Sequence, residues 1–371
     1  MDAFYASVEL LKYPELHGQA VVVGGRRDSA PRTDAAGVRH FSRLRDYVGR
    51  GVITTATYAA RALGAGSGMG LMKAAQLAPD AILLPVDFDA YRRYSRLFKD
   101  AVATLAPAIE DRGIDEIYID LSAVDGSSLE LAQRIKDAVH GVTGLSCSIG
   151  IAPNKLLAKI CSDLDKPDGI TILAADHLQQ RIWPLPARKI NGIGPKAAAR
   201  LETLGISTIG ELADAAPEVL QQHFGLSYAR WLLEAAHGID ERPVVTHAET
   251  KSVSRETTFE RDLHPQTDRI ALNAVFDQLC QQVAADLQRK HLLGRTIGIK
   301  LRFDNFQTMT RDHTLDGATD AVADIRRAAI ACLKRVPRDR RLRLLGIRIS
   351  GLRAAGESPE APLQSQGALV W

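Results

Sequence analysis

At 371 residues and 40.3 kDa the chain exceeds what one hydrophobic core usually holds, so two or more domains are expected. Hydrophobic residues make up 46% and charged residues 25%, an ordinary globular balance that excludes a largely disordered chain. The net charge of +3 is unevenly placed: Thr250 to Arg353 holds 20 basic and 12 acidic residues, whereas the remainder is mildly acidic.

Taken in chain order, Ala3 to Leu11 reads as a helix start, and Ala20 to Val23 as a short strand ending at Gly24-Gly25. Residues 26–50 are polar, show no sustained period and read as an inserted surface loop. Val52 to Thr57 is a β-branched run that turns helical from Tyr58 to Leu63. Tyr91, Tyr94, Leu97/Phe98, Val102 and Leu105 form one helical stripe, and Leu131, Ile135, Val139 and Val142 another. Ile117, Ile119 and Leu121 alternate as a half-buried strand does, and so do Leu145, Cys147 and Ile149. This rhythm predicts an α+β sheet with helices on one face.

After Lys166-Pro167-Asp168-Gly169 the texture changes, and Pro186 to Gly238 reads as short helices without a usable strand. A second mixed segment starts near Lys251. It has strand candidates at Ser252 to Phe259, Arg295 to Phe303 and Leu342 to Ile349, and helices near Ile270 to Gln288 and Ala321 to Leu333. From Ala354 the chain reads as a flexible tail. No apolar run approaches the roughly 20 residues of a membrane span, and MDAFYASVEL lacks the basic and apolar regions of a secretory leader. Cys147, Cys161, Cys280 and Cys332 lie far apart, so reduced thiols in a cytoplasmic protein without membrane contact are expected.

Between Lys334 and Arg353 stand eight basic residues and one acidic, Asp339. A basic module on an acidic body suggests a polyanion, most simply nucleic acid, although a solvated basic face has the same composition. Asp115-Glu116 follows Gly113-Ile114 and precedes the alternating strand. Adjacent carboxylates at a strand start point to opposite faces unless a tight turn redirects one, and Gly113 permits such a turn. Carboxylates are the hard ligands magnesium prefers, and two such ions clamp the oxygens of a phosphoryl transfer. By itself such a pair is most often a solvated turn.

MDAFYASVEL, TTATYAARALG, RGIDEIYIDLS, SIGIAPNKLLAKICSDLDKPDGI, INGIGPKAAARLETLGI and KSVSRETTFERDL occur in that order. Together they closely resemble the Y-family DNA polymerases, specifically the DNA polymerase IV branch that copies damaged templates, over nearly the whole chain to about Arg353. The resemblance implies a multidomain α+β polymerase right hand. Its ferredoxin-like palm would comprise residues 1–10 and 86–166, and small fingers residues 11–85. A helical thumb with a helix-hairpin-helix would span 167–238, an α+β little finger 245–353 and a flexible tail 354–371.

It also implies site residues. Asp115 and Glu116 match the palm carboxylates that hold magnesium, two ions per site. Tyr5 matches the steric-gate aromatic that excludes a ribose 2′-hydroxyl, with Phe4 beside it. Thr55, Tyr58, Arg61 and Lys166 match residues that grip the incoming triphosphate. Gly192, Gly194 and Lys196 match the hairpin that lets backbone N–H groups approach a DNA phosphate. Arg255, Arg302 and Arg343 are expected phosphate partners on the little finger. Gln366, Leu369 and Trp371 resemble a clamp-binding peptide.

The family motif Asp-x-Asp-x-aromatic-aromatic-Ala is entered here at its x, Met1, with Asp2 at the second Asp. The 371 residues as written therefore lack the first catalytic Asp. Severely reduced activity is expected of them, and primer extension matching that of a version extended upstream would refute this. The expected function is error-prone synthesis by a monomer on primer-template DNA with dNTPs, magnesium and a sliding clamp, without proofreading. A catalytically impaired DNA- and clamp-binding relative is the alternative. A nucleotidyl cyclase on a similar palm is a further rival, opposed by the hairpin glycines and the basic C-terminal module.

Overall fold

The computed structural model describes residues 1–25, 29–337 and 339–356. The chain divides into two compact units, Met1–His247 and Ala248–Trp371. The first opens with α1 (Phe4–Lys12), β1 (Val21–Gly24), a small hairpin of β2 (Arg32–Thr33) and β3 (Arg39–His40), β4 (Ile53–Ala56), α2 (Tyr58–Ala62), α3 (Leu71–Leu77) and β5 (Ile82–Leu84). These strands form a sheet of order β4-β1-β5, with β1 antiparallel to β4 and parallel to β5. Val21, Val22 and Val23 are all buried, as expected of a short β-branched run covered on both faces.

The chain continues through α4 (Phe88–Ala103), β6 (Ile109–Asp111), β7 (Ile117–Ile119), α5 (Ser128–Thr143), β8 (Ile149–Ile151), α6 (Lys155–Ser162) and β9 (Ile170–Ile172). Strands β6 and β7 pair as an antiparallel hairpin, and β8 and β9 pair in parallel. Helix α4 starts at Asp87, whose side chain accepts from the Ala90 amide. A capping box of Ser127 and Glu130 starts α5. Both helices bury their predicted stripes through Tyr91, Phe98 and Val102, and through Leu131, Ile135 and Val139. The stripes are narrower than expected, because Leu97 and Val142 face solvent.

Short helices follow: α7 (Leu178–Arg181), α8 (Pro195–Glu202), α9 (Ile209–Ala213), α10 (Pro217–Phe224) and α11 (Leu226–Ala236). They close around Ile190, Leu201, Ile209, Leu212, Leu220 and Leu232, all buried. The second unit runs β10 (Ser252–Leu263), α12 (Arg269–Arg289), β11 (Leu292–Phe303), β12 (Thr308–Thr319), α13 (Val322–Leu333) and β13 (Leu342–Ala354). Its antiparallel sheet has the order β10-β13-β11-β12. Ile297, Ile299, Ile347 and Ile349 pack against Phe276, Val283 and Leu287 of α12 and Ile325 of α13.

Two expectations are corrected. Part of the loop at 26–50 is core: Leu44 is fully buried, its amide donates to the Ala81 carbonyl, and Tyr47 packs in the same cluster. Three of the loop's arginines have protein partners, Arg39 on Glu15, and Arg43 and Arg45 on Asp80. Strand β12 was not expected at all. It is an edge strand with little apolar content, held by pairing to β11. All four cysteines are buried and free, and no helix among the described residues is long and apolar enough to cross a membrane.

Candidate active site

The site is built from the hairpin β6–β7, helix α6 and the N-terminal Met1 ahead of α1. Residues 112–116 form the turn of the hairpin. Gly113, at φ 149°, lies where side-chain-bearing residues are strained. Its amide donates to Asp111 Oδ1 at 2.9 Å, and Lys99 Nζ donates to the Gly113 carbonyl at 2.6 Å. The Arg112 amide donates to the Glu116 carbonyl at 3.1 Å, closing the turn. Asp115 and Glu116 both line one cleft of about 680 Å³, together with the β7 residues that follow them.

Lysines from α6 and just beyond it share that cleft. Lys159 Nζ lies 3.2 Å from Glu116 Oε1 and 3.0 Å from Asp163 Oδ2, and Lys166 Nζ lies 2.6 Å from Asp163 Oδ1. Burial works to lower the Lys159 ammonium, but Asp163 and Glu116 outweigh it and hold the group above its ordinary range. Burial likewise works to raise Asp163, and the two lysines hold its carboxyl below the ordinary range. Sequence reasoning missed Lys159 and Asp163. Their spacing of four, Lys159 on α6 and Asp163 at its C-cap, was a usable signal for a same-face pair.

Asp2 is turned to other partners. It is buried, with Oδ1 accepting from Ser148 Oγ at 2.7 Å, and Oδ2 from Ser146 Oγ at 3.1 Å and the Asp168 amide at 2.9 Å. Both oxygens are thus committed to protein donors. Among the described residues, no group of three His, Cys, Asp or Glu stands close enough to hold a metal ion. Asp115 and Glu116 nevertheless suit magnesium, a hard cation commonly held by one or two carboxylates plus substrate phosphates. The Lys159 ammonium against Glu116 shows that a cation can approach that carboxylate.

Beside this cleft, Phe4 is buried and Tyr5 half-buried on α1. Burial and then the charge of Asp115 raise the Tyr5 phenol above its ordinary range. Thr55 is buried at the end of β4. Tyr58 and Arg61 lie on α2, with the Arg61 guanidinium 4.9 Å from the Tyr58 ring and its Nε donating to the Ala56 carbonyl at 3.0 Å. The Tyr58 hydroxyl is buried without a hydrogen-bond partner. Its phenol is raised by burial and by the charges of Asp2 and Asp163, with Arg61 opposing. Thr55, Tyr58 and Arg61 are not among the residues that line the cleft with the acidic pair, whereas Lys166 is.

The expected hairpin is formed as Gly192 to Lys196. Gly192 has φ 119°, and a Cβ there would lie 2.5 Å from Cη2 of Trp231. The Tyr228 hydroxyl donates to its carbonyl at 2.9 Å. Gly194 precedes α8 and faces open space, and Lys196 is exposed. In the second unit, Arg302 donates to Thr308 Oγ1 at 3.2 Å, and Arg343 lies 4.6 Å from the Phe306 ring. Arg255, also expected among the phosphate partners, pairs with Asp286 of α12, Nε and Nη2 donating at 2.5 and 2.9 Å. Its fork is occupied because a buried carboxylate needs the bidentate partner more than the surface does. Gln366, Leu369 and Trp371 lie outside the described residues.

Three segments match family models: the impB/mucB/samB family over residues 1–163, the HHH motif of the IMS family over 175–206, and the impB/mucB/samB C-terminal domain over 250–366. The chain is 39% identical to a DNA polymerase IV of Alkalilimnicola ehrlichii over 357 residues, covering 95% of this chain and 93% of that one. It is 36% identical to a DNA polymerase IV of Streptomyces coelicolor, covering 99% of this chain and 75% of that one. Among solved structures, a Y-family DNA polymerase chimera of Dbh and Dpo4 superposes with a TM-score of 0.81 at 25% identity, covering 95% and 97% of the two chains. An insertion ternary complex of Dbh DNA polymerase gives 0.63 at 25% identity, covering 94% and 96%.

Proposed function

This chain belongs to the Y-family DNA polymerases, in the DNA polymerase IV branch, and on that premise we propose that its cleft adds dNTPs to a primed template during error-prone bypass of damaged bases, without proofreading. The observation that carries the reading is the meeting of Asp115 and Glu116 with Lys159 and Lys166 on one cleft.

Asp115 and Glu116 would hold magnesium, two ions in the full site. When bound, magnesium supplies charge neutralisation at the phosphates and acidifies the primer 3′-hydroxyl. The chain's own groups do the remaining work. Lys166 and the Arg61 fork spread the charge of the triphosphate, and the orphaned Tyr58 hydroxyl gains a phosphate or sugar oxygen as partner. Tyr5 lies under the sugar and leaves no room for a 2′-oxygen. Gly192, Gly194 and Lys196 hold the duplex backbone, and Arg302 and Arg343 add contacts on the second unit. Domain limits follow the polymerase hand described above, and Gln366, Leu369 and Trp371 engage a sliding clamp.

Primer extension with and without magnesium tests the reading. Glu116→Gln and Asp115→Asn are each expected to lower kcat by at least about 100-fold, since each removes charge stabilisation at the reacting phosphate. Extension at the parent's rate in either variant overturns it. The alternative of an impaired DNA- and clamp-binding relative draws on the commitment of Asp2 to Ser146, Ser148 and Asp168. Tight DNA binding with no magnesium-dependent extension would favour it.

A further inference from the structure

Glu116, Lys159, Asp163 and Lys166 form an alternating ladder of charge from the metal-binding hairpin to the triphosphate lysine. Its rungs measure 3.2, 3.0 and 2.6 Å. The two middle members each have two partners, Lys159 between Glu116 and Asp163, and Asp163 between Lys159 and Lys166. The Lys159 side chain is 21% exposed, so leaving both carboxylates for bulk water is not a free move. Opposite charges at these distances in a partly buried cleft interact far more strongly than in bulk water. The ladder is also balanced, with two carboxylates facing two ammoniums.

A divalent cation at Glu116 competes for the same oxygens with the Lys159 ammonium. Among the described residues the one other carboxylate that Lys159 touches is Asp163, which also holds Lys166. Both ammoniums already share Asp163; once Lys159 loses Glu116 its charge leans on Asp163 alone, and the repulsion between the two ammoniums then bears on Lys166, at the end of the ladder. We propose that Lys159 is a positioning residue: the resident counter-ion of Glu116 that lowers its affinity for a divalent cation and, through Asp163, ties cation binding to release of Lys166 toward the incoming triphosphate. This inference rests on the proposed role of Glu116 as a metal ligand.

The test uses the full 371-residue chain without DNA or nucleotide and reads Mn2+ binding by electron paramagnetic resonance. Replacing Lys159 by Met removes the competitor, and Mn2+ is expected to bind about tenfold tighter, the order set by one like charge near a divalent ion in a half-screened site. Lys159→Arg keeps the charge and is expected to stay within about twofold of the parent. Unchanged or weaker binding in Lys159→Met, with a far-UV spectrum and melting temperature like the parent's, overturns the proposal. If Lys159→Met is unstable, Asp163→Asn reads the same ladder from its other side. Lys159 then rests on Glu116 alone, and Mn2+ should bind several-fold more weakly; unchanged or tighter binding overturns the proposal. Glu116→Gln separates the two readings. If it binds Mn2+ as the parent does, the metal role of Glu116 fails; if it loses binding while Lys159→Met matches the parent, only the ladder fails.

Discussion

Tyr5 lies face to face on Tyr91, their ring centroids 4.1 Å apart and their planes 11° from parallel. Tyr91 is fully buried, and its hydroxyl donates to Glu9 at 2.6 Å, so the ring that supports Tyr5 is fixed at both ends. If Tyr5 excludes ribose, Tyr91 sets how closely it can do so. Tyr5→Ala is expected to relax discrimination between dNTP and rNTP by about 10- to 100-fold, the range one apolar contact supplies. Tyr91→Ala should relax it by a smaller factor, because the gate tilts into the space left below it. Single-nucleotide insertion kinetics with both sugars check this, and unchanged selectivity in Tyr5→Ala would remove the gate.

Glu9 offers a pH test. Its carboxyl is raised, first by burial, with the Tyr91 hydroxyl and Lys12 opposing. A raised carboxyl takes up a proton more readily folded than unfolded. Its favourable contribution is therefore present at low pH and is lost as pH rises through the folded value. Glu9→Gln keeps an acceptor for Tyr91 and removes the buried charge. It should melt above the parent at about pH 8, with the gap closing toward about pH 4. Thermal melts across that range decide the matter, and a gap that widened on acidification would contradict it.

Lys155 and Glu110 form a buried pair at 2.6 Å, with side chains 10% and 9% exposed. Burial works to raise Glu110, and Lys155 heads the interactions that hold it below its ordinary range. The same two side chains fasten the segment after α11, Lys155 to the Pro243 carbonyl and Glu110 to the Val245 amide. Lys155→Met leaves a buried carboxylate with only the more distant Arg112, at 3.5 Å, and should cost up to about 3–5 kcal/mol in chemical denaturation. Adding Glu110→Leu should recover much of that loss. A double variant no more stable than Lys155→Met would show that the pair is not the dominant interaction there.

The hairpin at Gly192 predicts a binding phenotype. An Ala there meets a left-handed backbone and the Trp231 ring at once, so the turn must shift. Gly192→Ala should weaken duplex binding by about tenfold while leaving the salt slope nearly unchanged, because no phosphate-facing cation is lost. Gly194→Ala, facing open space in the free chain, should affect DNA binding without affecting the melting temperature. Fluorescence anisotropy at several salt concentrations separates the two effects.

Much was legible residue by residue. The stripes of α4 and α5 are recovered because a 3.6-residue period records which side of one helix is buried, whatever it packs against. Asp115 and Glu116 were legible as a pair, and Gly113 signalled the turn. Strand β12 was not legible: in TMTRDHTLDGAT the only large apolar residues, Met309 and Leu315, are both partly buried, so pairing along β11 decides the conformation rather than any local pattern. Leu44 looked like part of a polar loop, and its burial depends on Ala81, 37 residues away in the chain.

What the amino-acid order determined alone is therefore what repeats within one element or one motif: the helices, the hairpin glycines, the carboxylate pair and the basic balance of the last hundred residues. What only the tertiary structure decided is which charges meet. Arg255 is held by Asp286, Asp2 is tied to Ser146, Ser148 and Asp168, and Lys159 reaches Glu116 across 43 residues of chain. Short-range order fixes backbone and burial period. A charge's partner is chosen by whatever the fold brings within a few ångströms in a cleft of low dielectric, and no local pattern encodes that distance.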